Sequence, residues 1–108
     1  MTDRELLRLA AIACGELHGE WVGNDAYFDG VLSRWSPLTD DGDALRLAVK
    51  VGMNLALVVL AGFSVAAAHF SEQGVPKSEV VEPHGDDPYA ATRRAIVRAA
   101  AEIGRQHD

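Results

Sequence analysis

At 108 residues, the chain has the length of one domain, enough to bury about 65% of its unfolded surface in a single core without staples. Sixteen acidic against ten basic side chains give a formal net charge of −6, which opposes long-range attraction to nucleic acid and anionic lipid. A hydrophobic share of 48% with 24% charged residues excludes a disordered tail, and the lone Cys14 excludes an internal disulfide.

Met1 leads into a charged helix start without a basic and apolar leader, which predicts a cytoplasmic protein. Thr2 and Glu5 have the spacing of a capping box. The helix they open carries Leu6, Leu9, Ala10, Ala13 and Leu17 on one apolar face, with Gly15 or Gly19 available to end it. Cys14 lies close to that face and reads as a buried thiol, since no histidine or basic cluster stands nearby to activate it.

Residues 20–35 change character. Trp21, Tyr27, Phe28 and Trp35, four of the seven aromatics, are separated by the turn formers Gly23, Asn24, Asp25, Asp29 and Gly30, which predicts a short hairpin or ordered loop. Trp and Tyr commonly anchor binding surfaces, so Trp21, Tyr27 and Trp35 are candidate protein-binding residues; a loop-borne part of the core is the alternative.

Pro37 ends that segment, and Asp40, Asp41 and Asp43 precede Leu45, Leu47, Ala48, Val49 and Val51. Carboxylates at the positive end, Arg46 and Lys50 towards the negative end and Gly52 as a stop predict a helix. The aspartates do not make a calcium loop, because residues 45–52 offer no acidic ligand at the required spacing. They are instead candidates for an acidic protein-binding surface.

Residues 55–60 and 63–70 are continuous apolar runs with Ala61 and Gly62 between them, and predict two buried strands; one buried helix is the alternative, given Ala66, Ala67 and Ala68. The apolar stretch is too short and too interrupted for the roughly 20 residues of a membrane span. Residues 77–82 predict a short edge strand that Pro83 ends. Asp87 as cap and Pro88 at the first position open an alanine-rich helix whose expected core face is Tyr89, Thr92, Ile96, Ala99, Ala100 and Ile103. The expected fold class is therefore α+β, with three helices packed on a small antiparallel sheet of two to four strands in one domain spanning residues 1–108.

Arg93, Arg94, Arg98 and Arg105 crowd this last helix. They read as a solvated face with Arg98 paired to Glu102. The alternative is that Arg93, Arg94 and Arg98 hold the phosphate of a nucleotide, or that the helix meets nucleic acid or a second copy of the chain. His18, His69, His84 and His107 are scattered without metal-ligand spacing, and none of Ser33, Ser36, Ser64, Ser71 and Ser78 stands in a nucleophile elbow. No catalytic residue, metal or cofactor is expected.

Two strings, RWSPLTDDGDALRLAVKVG over residues 34–52 and DDPYAATRRAIVRAAAEIGR over residues 86–105, resemble the signature blocks of a family of small uncharacterised proteins of tailed bacteriophages and prophages of proteobacteria. Ser36 stands where that family usually has asparagine. The resemblance implies a phage origin and a cytoplasmic role in the host cell; it implies no activity. Combined with the charge, it predicts a non-enzymatic accessory protein that binds a host or phage protein. Inhibition of a host-defence complex, in the manner of anti-CRISPR proteins, is one concrete form of that role.

Overall fold

The computed structural model describes residues 2–14, 19–22, 25–28, 34–58, 60–70 and 76–106. Among the described residues, three helices and two three-stranded antiparallel sheets follow one another in an α+β order. Helix α1 spans Asp3–Cys14. Its capping box is closed in both directions, the Glu5 amide donating to Thr2 Oγ1 and the Thr2 amide to Glu5 Oε2, each at 3.2 Å. Leu17 and Gly15 lie outside the described residues.

The first sheet pairs β1 (Gly19–Val22) with β2 (Asp25–Phe28) and β2 with β3 (Arg34–Trp35), so the expected hairpin is present with a third strand added. Helix α2 spans Asp41–Val51. Asp40 caps it by accepting the Asp43 amide at 2.8 Å, and Gly52, at φ 81°, closes it in the left-handed conformation that glycine adopts without a Cβ penalty.

The second sheet is a meander of β4 (Met53–Val58), β5 (Phe63–Phe70) and β6 (Pro76–Pro83). Two strands, not a helix, therefore occupy the apolar middle of the chain. Helix α3 spans Pro88–Gln106, with the Tyr89 and Ala90 amides donating to Asp87 Oδ1 at 3.0 and 3.1 Å. It is the centre of the molecule. One side packs along α1 and against α2, and another lies across β5 and β6.

Small side chains make this possible. Ala10 and Ala11 of α1 meet Val97, Ala100 and Ala101 of α3, and Leu6, Leu7, Leu9, Cys14, Trp35, Ala44, Leu47, Ala48 and Ile96 complete the main core. Ala66 of β5 packs on Ala95 and Ala99 of α3, with Met53 and Val80 beside them. Because α3 is covered on two sides, it buries a wider arc than the single stripe expected, adding Ala91, Ala95, Val97, Ala101 and Gly104. Tyr89, expected in the core, lies at the exposed start of the helix and is 70% accessible. Leu7, absent from the expected face of α1, is among the most deeply buried side chains, since α1 faces both α3 and α2. Cys14 is buried as expected, its thiol directed at the Ala11 carbonyl at 3.5 Å. Among the described residues no helix is long and apolar enough to cross a membrane.

Candidate functional site

Strand alternation places Leu57 opposite Ser64 and Leu55 opposite Ala66, so all four point to one face of the second sheet. On β5 that face is small, and α3 settles on it. On β4 it carries leucines, and α3 does not reach over them. Leu55 is left partly open and Leu57 is 59% accessible, so β4, expected to be buried, is exposed along residues 54–57. The missing cover is a groove of about 480 Å³. Leu55 and Leu57 form one wall, Ala44 and Leu45 of α2 another, and Tyr89 and Ile96 of α3 a third.

The polar groups at this groove are already engaged. Arg93 bridges α3 to the start of α2, donating from Nη1 to Asp41 Oδ1 at 2.6 Å and from Nε to the Leu38 carbonyl at 2.9 Å. At its other end lies a hydrogen-bond chain through the buried Ser64. Thr92 Oγ1 donates to the Pro88 carbonyl at 2.8 Å, which uses its only proton. It must then accept from Ser64 Oγ at 2.8 Å, and Ser64 in turn accepts from His84 Nε2 at 2.8 Å. His84 thus carries its proton on Nε2 and donates, the reverse of the polarity by which a histidine activates a serine nucleophile.

This pair, twenty residues apart, had no signature in the sequence. It arises because β5 and β6 pair Phe63 with Pro83, which brings their chain neighbours Ser64 and His84 together. Ser64→Ala leaves the half-buried His84 N–H without its acceptor, and should lower unfolding free energy by about 1 kcal/mol in a denaturant titration. An unchanged midpoint would mean that the chain of hydrogen bonds does not hold.

Trp35 and the three aspartates, expected to bind a partner, take different roles. Trp35 is 6% accessible and belongs to the main core, so it is a packing residue and not a surface anchor. Trp21 and Tyr27 occupy β1 and β2; their side chains lie outside the described residues. Asp40 is the α2 cap, Asp41 holds Arg93, and Asp43 accepts the Ser36 amide at 2.9 Å and Arg46 Nη2 at 2.6 Å. The aspartates organise the start of α2, and Asp40 and Asp41 remain largely open to solvent.

The arginines diverge too. Arg93 turns to Asp41 of α2, Arg94 to Asp3 of α1 at 3.2 Å, and Arg98 to Glu82 of β6 at 2.5 Å. They do not converge on one point where a phosphate would sit. Arg98 takes a partner across the helix–sheet interface in place of Glu102, which pairs with Arg105. A second, more polar hollow of about 440 Å³ lies beyond His84, edged by Asp3, Asp86, Asp87 and Arg94. Among the described residues no three His, Cys, Asp or Glu side chains gather where they could hold a metal ion.

No protein-family model matches the chain, and neither a curated protein nor a solved structure matches it.

Proposed function

We propose that the protein acts by binding another protein, not by catalysis, and that the groove between α2, β4 and α3 receives an apolar part of that partner. The observation that carries this reading is the set of Leu45, Leu55, Leu57 and Tyr89, large apolar side chains exposed around one concavity. Surfaces of that kind mark interaction sites. Its flanking ion pair, Asp41 with Arg93, is closed on itself, so the groove selects by shape and apolar contact.

Two further observations support a setting for it. The segments 34–52 and 86–105, which resemble tailed-phage and prophage proteins, contain α2 and α3 and so two of the three walls. That supports a phage- or prophage-encoded accessory protein whose partner is in the host cytoplasm. The net charge of −6 supports, as target, a host-defence complex with a basic nucleic-acid channel.

A photo-crosslinking phenylalanine derivative at Tyr89 should capture one specific protein from infected or lysogenic host cells, identified by mass spectrometry. Leu45→Glu with Tyr89→Ala should weaken the binding of that protein to the purified chain by at least about tenfold, the scale expected when interface anchors are lost. Equal binding by the variant would sink the groove as the docking surface.

A further inference from the structure

We propose that the chain forms a two-fold dimer in which β4 pairs antiparallel with β4 of a second copy, making one continuous six-stranded sheet. This goes beyond the binding role above and does not depend on it. The two edges of the second sheet are built differently. β6, PKSEVVEP, is bracketed by Pro76 and Pro83 and carries Lys77, Glu79 and Glu82, features that discourage a further strand. β4, MNLALV, has no proline and no charge, and its residues 54–57 are exposed. Among the described residues it has a strand on one side only. An edge of this composition offers unpaired N–H and C=O groups with nothing to repel a partner strand.

Two features make a second copy the occupant. The first is symmetry. In antiparallel pairing, residues directly opposite point to the same face, so a two-fold axis through Ala56 sets Leu55 opposite Leu57 of the other copy, twice over. Each exposed leucine on the groove side then gains an apolar cross-strand neighbour, and the two grooves meet across the axis. Self-complementarity of this kind is what a two-fold interface requires. The second is charge. A chain of net charge −6 repels its own copies over most of its surface, whereas β4 contributes no charge at all. The groove's two charges, Asp41 and Arg93, neutralise each other.

The test uses the whole chain at tens of micromolar. Light scattering after size exclusion should give twice the chain mass. A cysteine at position 56, introduced as Ala56→Cys with Cys14→Ala, lies opposite itself on the axis and should form an intermolecular disulfide under mild oxidation; Val81→Cys, on the other edge, should not. Ala56→Lys sets two ammonium groups face to face and should shift the protein to monomer, with folding checked by circular dichroism because Ala56 is exposed. A wild-type monomer throughout, or a dimer cross-linked through position 81 and not 56, overturns the proposal. Neither result touches the crosslink at Tyr89, so failure of the dimer and failure of the binding role are separable.

Discussion

Gly104→Ala is expected to be among the most damaging single-methyl additions available to this chain. Two effects oppose each other. Alanine is the better helix former by about 1 kcal/mol in a helix interior, and Gly104 stands in the last turns of α3. A Cβ at that position, however, would lie 1.8 Å from the Leu9 carbonyl oxygen and 2.6 Å from its carbonyl carbon. These are backbone atoms of α1, so no rotamer change relieves the clash. The whole helix must move back, opening space between Ala10 and Ala11 on one side and Ala100 and Ala101 on the other. Overpacking of a close core costs typically about 1–3 kcal/mol; a rigid backbone clash of this depth belongs at or beyond the upper end, so sterics win. The net loss should be at least about 2 kcal/mol, seen as a melting temperature lower by about 8 °C or more. A melting temperature equal to or above that of the wild type would show that α1 and α3 do not approach at Gly104.

The approach of Gly104 to Leu9 has no local signature in the sequence. Elements were legible wherever their ends carried chemistry of their own. Thr2 with Glu5, Asp40 with Gly52, and Asp87 with Pro88 each satisfy a helix end locally, and each did so in the fold. The two strands in the apolar middle were legible from their residue types and the turn at Ala61 and Gly62. What was not legible depends on which element covers which. Leu55 and Leu57 carry the same apolar signal as a core strand, and only the placement of α3 over β5 and β6 leaves them open. Tyr89 lies on the expected core stripe of α3, yet that stripe begins one turn before the packing does. Leu55, Leu57 and Tyr89, which line the groove, are therefore residues that each looked like core. Conversely, Arg93, Arg94 and Arg98 looked like one cationic stripe, because helical spacing says nothing of three carboxylates arriving from α2, α1 and β6.

Trp35→Ala should strongly destabilise the protein, and it separates the core role of this residue from the surface role its composition suggests. Trp35 closes β3, pairs with Ala26 of β2 and enters the cluster formed by α1, α2 and α3. It is thus a tertiary link from the first sheet to the helical core. Removing a large buried aromatic costs about 3–5 kcal/mol, against a total stability of about 5–15 kcal/mol for a domain. Trp35→Phe keeps an apolar ring in the same place and should cost less than the alanine variant. The Ser36 amide beside it is fixed by Asp43, so the cavity cannot readily close by letting β3 drift. A denaturant titration of the three proteins should therefore rank wild type above Trp35→Phe and Trp35→Phe well above Trp35→Ala. An alanine variant as stable as the wild type, yet unable to bind its partner, would return Trp35 to the surface and remove the link between the sheet and the core.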